Sequence, residues 1–291
     1  MVTLSKLLVT GLARNAAETL PKEVRRLLRV TSKFYDEVFF HIVESDSSDK
    51  TVAVLGELGS QIPNFSYQNL GQLQLKFPHR IERLRHCRNS YVEFFRQQKH
   101  GFDHILVVDF DIRNRKFDYE SMEKILSEKS KWDALFVNQT GRYFDIFALR
   151  EKDWCPTDCM FEVEALIKSG SSREAAKEKA IWEKMKKIPN SSKLIEVDSA
   201  FGGMGIYKSW IFDRFNYDFE STPIAPEESE HVALHFKARA AGARLFIHPG
   251  FNNFAWSPHN LASFRALRRL DYLSKRPLWR GVRRKLRSLL G

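Results

Sequence analysis

The tightest constraint on the fold of this 291-residue chain is a series of short, almost wholly apolar runs that stop abruptly at polar residues. Leu7-Leu8-Val9-Thr10-Gly11-Leu12 leads to Arg14-Asn15, Glu37-Val38-Phe39-Phe40-His41-Ile42-Val43 to Glu44, and Ile105-Leu106-Val107-Val108 to Asp109. Asp133-Ala134-Leu135-Phe136-Val137 and Leu245-Phe246-Ile247-His248-Pro249 extend the series. A strand apolar along its whole length must be covered on both faces, as in a parallel sheet layered by helices. The intervening segments have helical spacing. Residues 16–34 repeat through Leu20, Val24, Leu27 and Leu28, and residues 80–98 through Ile81, Leu84, Cys87, Tyr91 and Phe95. Residues 51–59 and 119–129 read as helices too, as does Glu228 to Ala241, which Gly242 closes. The expected fold class is α/β, a Rossmann-like, mostly parallel sheet with helices on both faces. Residues 1–260 form one domain in this reading. Residues 151–195, dense in Lys and Glu from 173 to 187, are a solvated helix or an insertion within it.

In such sheets ligands sit beyond the carboxyl ends of the strands. The polar clusters at 14–15, 44–51 and 109–111 all follow strand ends, so they should meet at one edge. Asp109-Phe110-Asp111 places two carboxylates, one residue apart, directly after a buried strand. Their charges repel unless a cation or a basic group lies between them. Hard oxygen ligands suit Mg²⁺ or Mn²⁺, which also bind diphosphate oxygens. The bland alternative is a solvated strand end with Asp as turn residues.

Four further groups are candidates. Glu44 to Thr51 can hydrogen-bond a base or ribose, and read alone it is first an N-cap loop. Arg80, Arg83, Arg85 and Arg88 share one helix, where an arginine can take a diphosphate in a forked, charge-assisted way or simply form a solvated basic face. Gly202-Gly203-Met204-Gly205 lets backbone approach a bound sugar, and it fits neither a P-loop nor a dinucleotide fingerprint. Glu230, His231 and His235 share the last helix, but the first His lacks the following Glu of zinc proteases, so one functional His at most is expected.

Composition removes several classes. With 43% hydrophobic residues and 23 Phe the chain can bury a full core. Three cysteines, Cys87, Cys155 and Cys159, make no disulfide framework and read as ordinary thiols of a reducing compartment. No apolar run reaches the roughly 18–20 residues of a membrane helix, and the start does not read as a signal peptide. The cytosol is therefore the expected compartment. Of the net charge of +11, +9 lies in 261–291, which hold ten Lys or Arg and one Asp. The body is close to neutral, which argues against a general nucleic-acid binder. Residues 261–291 alternate Leu, Phe and Trp with Arg and Lys, a basic amphipathic tail suited to an anionic membrane surface or to packing on the body. Its first use would place the protein peripherally at the inner membrane face.

At this point the motifs resemble a known family. Leu8-Val9-Thr10, Arg14-Asn15 and Val43 through Thr51 are similar to the opening of GT-A glycosyltransferases, with departures at Ser45 and Asp46. Arg80-Ile81 with Leu84 and Arg88-Asn89, Tyr143 through Arg150, Ser199 through Met204, and Glu230-His231 resemble the fungal capsule-associated α-mannosyltransferases, in the same order over about residues 5–260. Those enzymes often carry Asn-Asp where this chain has Asp109-Phe110-Asp111, and usually a membrane anchor. The resemblance implies transfer of a mannosyl-type sugar from a nucleoside-diphosphate sugar donor to a glycan or lipid-linked acceptor, with retention. It implies Asp109, Asp111 and His259 as metal ligands, His259 being preferred to His248, which is still in the strand. Arg14, Asn15, Glu44, Asp46, Arg80, Arg88, Asp109, Gly202 and Gly203 would bind donor, and Asp145, Glu230 and His231 would be catalytic. A nucleotidyltransferase acting on a sugar phosphate uses the same strand–metal logic but normally has a glycine-rich basic loop, which Gly11 to Asn15 matches poorly. The non-enzymatic rival is a basic scaffold acting through its tail on membrane or nucleic acid.

Overall fold

The computed structural model describes residues 5–98, 101–110, 116–219 and 228–253. Asp111, His259 and the basic tail lie outside them. In chain order the elements are β1 (Lys6–Ala13), α1 (Leu20–Thr31), β2 (Glu37–Glu44), α2 (Thr51–Gln61), β3 (Phe65–Asn69), α3 (Arg80–Gln97), β4 (His104–Asp109), α4 (Tyr119–Ser127), β5 (Ala134–Gln139), α5 (Cys159–Lys168), α6 (Arg173–Lys177), β6 (Ile195–Glu196), β7 (Met204–Lys208), α7 (Trp210–Arg214), α8 (Glu230–Ala240) and β8 (Leu245–Asn253). The strands form one sheet in the order β3-β2-β1-β4-β7-β5-β8-β6. β1 pairs in parallel with β2 and β4, β2 with β3, and β5 with β8. β7 runs against β4 and β5, and β6 against β8. The sheet is thus mostly parallel, as expected.

Strand parity sorts the core into two layers. Leu8, Ile105, Val107, Ala134, Phe136, Tyr207, Leu245 and Ile247 pack with Cys87, Tyr91, Val92 and Phe95 of α3 and Leu234 and Ala238 of α8. Leu7, Val9, Leu106, Val108, Leu135, Val137, Met204 and Ile206 face the other way, onto Leu20, Val24 and Leu27 of α1, Leu55 and Leu58 of α2, and Met122 and Ile125 of α4. Both faces are therefore covered. The segment 151–195 holds α5 and α6 and is not wholly solvated. Val163, Ala176, Ala180, Ile181, Met185 and Ile188 enter the α3 layer, because the apolar residues among the Lys and Glu fall on one side of a helix that packs.

Two histidines are held inside this frame in the neutral state. His41 of β2 stacks on Phe94 of α3, ring centres 3.6 Å apart, with Nδ1 2.9 Å from Ser66 Oγ. His104 Nδ1 lies 3.0 Å from the Tyr35 hydroxyl. Burial pushes both down to about 4. The unfolded chain takes up these protons near the ordinary value of about 6.5, so it binds more protons than the folded chain between those limits and stability must fall as pH drops. Urea unfolding at pH 7 and pH 5 should show a loss of roughly 2 kcal/mol per histidine. A His41→Gln variant should lose only the part that His41 carries, roughly 2 kcal/mol, because the buried His231 and His235 add to the same pH dependence. Equal stability at the two pH values would contradict the burial of these rings.

Candidate active site

The carboxyl ends of the parallel strands form the edge on which the site is built. Asp109 ends β4 level with Leu12 of β1. Its parity follows Ile105 and Val107, so its side chain stands on the α3 face. Phe110 goes the other way and is fully buried in the opposite layer. The Asp109 amide donates to Gly203 O at 2.9 Å, and its side chain is 24% exposed.

Arg88 comes up beneath it from the buried face of α3. Its Nη2 donates to Asp109 Oδ1 at 3.1 Å and its Nε to Glu230 Oε1 at 2.7 Å. Arg88 and Glu230, the first residue of α8, are each 3% exposed. The guanidinium lies 5.1 Å from the Phe201 ring and 5.8 Å from that of Tyr217. Burial alone would lower its pKa, but Asp109, Tyr91 and Glu230 beside it hold it well above the ordinary range. Tyr91 donates to Tyr217 across the floor at 2.6 Å. An arginine in an apolar box is retained only because two carboxylates and two ring faces replace its water.

The glycine segment closes the second side. Gly202 and Gly203 adopt φ of +73° and +94°. A Cβ on Gly202 would stand 2.6 Å from Gln139 Nε2 and 3.1 Å from Val137 O, so a side chain there would displace the Gln139 amide and be strained by the positive φ. Asp145 Oδ2 accepts from Gly202 N at 2.8 Å, while Gly202 O accepts from Asn253 Nδ2 at 2.8 Å and Gln139 Nε2 at 3.2 Å. The ends of β5 and β8, the 143–150 loop and the start of β7 are thereby tied into one turn next to Asp109.

The loop after β2 closes on itself and on β1. Asn15 Oδ1 accepts from Ser48 N at 2.8 Å, Arg14 Nε donates to Asp46 O at 3.2 Å, and Glu44 Oε1 accepts from Ser47 N at 3.0 Å. Asp46 Oδ1 accepts from Gln74 N at 2.9 Å. Arg14 and Asn15 are exposed, whereas Glu44 is 2% exposed. Asp46 and Asn15 have φ of +58° and +50°, a backbone that Asp and Asn tolerate better than most residues. Arg80 is exposed on the first turn of α3 and is not drawn in. Arg83 is the neighbour that reaches this loop, its Nε 4.0 Å from Asp46 Oδ2.

His231 and His235 do not form a metal pair. His235 Nδ1 is 2.9 Å from Ser199 Oγ and its Nε2 3.0 Å from the Tyr207 hydroxyl, so both nitrogens are engaged. His231 stacks on Phe201 at 3.8 Å and its Nε2 lies 3.8 Å from Glu230 Oε1. Burial, then the charge of Arg88, pushes His231 far below its ordinary value, so it is neutral. His231 and Glu230 thus line the inside of the wall. His248 is indeed within β8, its Nε2 3.6 Å from Glu128 Oε2. Cys87, Cys155 and Cys159 are buried free thiols.

Asp109 is a hard oxygen donor at a partly exposed strand end, which fits Mg²⁺ or Mn²⁺. Its two expected companions, Asp111 and His259, lie outside the described residues. Among the described residues no group of three His, Cys, Asp or Glu side chains is arranged to hold a metal.

Asp109 and Glu230 stand among the sequence candidates, but their joint pairing with Arg88 does not. Tyr91 reads as one of the apolar stripe of its helix. That Arg88 lies three residues before it, beside the buried Cys87, is the one signal that it turns inward rather than to solvent. Phe201 and Tyr217 carry no local mark of this role.

No protein-family model and no curated protein sequence matches the chain. Solved structures do. S. aureus TarS 1-349 in complex with UDP-GlcNAc superposes with a TM-score of 0.50 at 13% identity, covering 91% of this chain and 65% of that one. The longer S. aureus TarS structure gives 0.50 at 12% identity, covering 92% and 39%. Mannosyltransferase PcManGT from Pyrobaculum calidifontis, in complex with GDP-Man and Mn2+, gives 0.49 at 11% identity, covering 88% and 59%. The chain thus spans less than two thirds of the length of each. Among the described residues no helix is long and apolar enough to cross a membrane. The strand order, the layered helices and the TarS likeness together identify the architecture as the GT-A fold.

Proposed function

We propose that this chain is a glycosyltransferase that moves a sugar, mannose in the first instance, from a nucleoside-diphosphate donor to a hydroxyl of a glycan or lipid-linked acceptor. One observation carries the reading. Asp109 is presented, partly exposed, at the carboxyl edge of the sheet, on a buried arginine and beside a glycine turn whose positive φ angles favour glycine. A GT-A fold that holds UDP-GlcNAc in TarS supports it.

In this reading Asp109, Asp111 and His259 hold a divalent cation, which when bound neutralises charge on the leaving diphosphate. Arg14 and Asn15 line the β1 end, and the loop of Glu44 and Asp46 shapes the nucleoside side. Arg88, buried and paired with both Asp109 and Glu230, holds the Asp109 carboxylate in place from below. Asp145 holds the glycine turn in the shape that admits the donor sugar. The bond from the anomeric carbon to the diphosphate breaks, and a bond to the acceptor oxygen forms with loss of the hydroxyl proton. Retention of configuration rests on the family resemblance.

The test is a thermal-shift screen of nucleoside diphosphates and their sugars, with and without Mn²⁺. A ligand at about 100 times its Kd stabilises the fold by about 2.7 kcal/mol, several degrees for a chain of this size. One base should stand out, and its shift should need Mn²⁺. No shift with any donor, with or without metal, would overturn the proposal.

A further inference from the structure

β3 stands at the end of the sheet order, so one of its sides is a free edge. Phe40 N donates to Asn64 O at 2.8 Å and Leu70 N donates to Glu44 O at 2.9 Å, which turns the backbone groups of the even-numbered residues toward β2. Phe65, Tyr67 and Asn69 then turn theirs outward, where no described residue meets them. Native sheets guard such an edge with Lys, Pro, a bulge or a covering element. Phe65–Asn69 carry neither Lys nor Pro, and from Leu58 to Leu75 there is no Asp, Glu, Lys, Arg or His, in a chain that is 29% charged. This uncharged run lies at the surface. Gln61, Gln68, Asn69 and Gln74 are exposed, as are Tyr67 at 38% and Leu75 at 82%. Low charge and exposed Tyr are marks of an interface core.

The edge is also complementary to itself. An antiparallel copy centred on Tyr67 sets Tyr67 against Tyr67 and Phe65 against Asn69, and every outward N–H and C=O meets its opposite. The pairing has matched ends. Pro63 and Gly71 are equally far from Tyr67 in sequence and would face one another. Pro63 has no N–H to give. Gly71 needs none, since its C=O accepts from Asp46 N at 3.0 Å and its N–H donates to Asn69 Oδ1 at 2.7 Å. The helix above leaves room. A Cβ on Gly56 would lie 3.6 Å from the Tyr67 hydroxyl and one on Gly59 3.7 Å from the Phe65 ring, so α2 covers these side chains with its glycines. Ala53, Gly59 and Ser60, exposed on α2, are small enough for two such helices to lie side by side. Charge selects the occupant. At a net +11, two copies of the chain repel as they approach, and the uncharged run is a surface on which they meet without like charges opposed.

We propose that two copies of this chain pair antiparallel through β3, with Tyr67 on Tyr67 at the two-fold axis, so that one sheet runs through the dimer. The isologous contact closes on itself and leaves no β3 edge free. This pairing is independent of the sugar-transfer reading and stands or falls without it.

The test is sedimentation of the full chain from about 1 to 100 µM, because a five-residue edge with one helix beside it is a small contact suited to a micromolar Kd. Wild type should pass from monomer to dimer over that range. Tyr67→Lys sets like charges face to face at the axis and should weaken the dimer by about tenfold or more. Tyr67→Pro should do the same, since it removes an outward donor and spares the ladder to β2. Phe236→Lys alters an exposed aromatic of α8, in the layer across the sheet, and should leave the Kd within about twofold. Circular dichroism checks the fold of each variant, and if Tyr67→Pro does not fold, Tyr67→Lys decides. Wild-type protein that stays monomeric at about 100 µM overturns the inference. So does a dimer whose Kd Tyr67→Lys leaves unchanged, or one that Phe236→Lys weakens as much.

Discussion

Asp109→Asn is expected to lower sugar transfer by about 10³-fold and to abolish its stimulation by Mn²⁺, while the protein stays folded. The loss follows from charge. A cation at a developing diphosphate, or one preorganised donor in an active site, contributes several kcal/mol to the transition state, and 10³ in rate is about 4 kcal/mol. An amide has one oxygen and no charge, so it cannot hold the cation in place of the carboxylate. Stability should change little. The Asn oxygen can still accept from Arg88 Nη2, and Arg88 keeps Glu230 as its buried counter-ion. The unfolding free energy should therefore stay within about 1–2 kcal/mol of wild type. The measurement is the initial rate with the donor found by thermal shift, at several Mn²⁺ concentrations, beside a urea melt. A variant that transfers sugar within tenfold of wild type and still responds to Mn²⁺ would remove Asp109 from the metal site.

What could be read from the chain, and what could not, divides along contact distance. β1, β2, β4 and β5 announce themselves as continuous apolar runs because both of their faces are covered. β3, Phe-Ser-Tyr-Gln-Asn, does not, since its burial is partial and it exists by pairing with β2 at the sheet edge. The antiparallel β7 lies between β4 and β5, a placement no local pattern encodes. In the site, Asp109 and the glycine turn were legible because a strand end and a left-handed backbone each demand particular residue types. The partnership of Arg88 with Glu230 spans 142 residues and was not. Resemblance pointed to Glu230-His231 as a motif, but only packing shows that both side chains turn inward. Arg80 and Arg88 look alike in sequence, yet one is exposed on the first turn of α3 and the other is buried between two carboxylates.

Gly11→Ala is expected to be the most damaging small substitution in the sheet. Gly11 lies on β1, between Ile42 of β2 and Val108 of β4. A Cβ there would stand 1.8 Å from the Val108 carbonyl oxygen and 2.8 Å from its carbon. Those are backbone atoms of a paired strand, so no rotamer change relieves the clash. The strands must separate, one residue from the Leu12–Asp109 pair that sets the place of Asp109 at the sheet edge. Overpacking of a fixed core costs about 1–3 kcal/mol and more where backbone must move. A loss above about 3 kcal/mol is expected here, a large share of a typical total of 5–15 kcal/mol. Gly101→Ala is the control. Gly101 has φ of +63° with nothing within 4 Å of an added Cβ, so only conformational strain of about 1–2 kcal/mol applies. Gly11, at φ +156°, carries strain as well as crowding, so the difference between the urea melts of the two variants is chiefly the crowding. A Gly11→Ala protein as stable as Gly101→Ala would mean that β1 and β4 do not approach this closely, and the placement of Asp109 would fall with them.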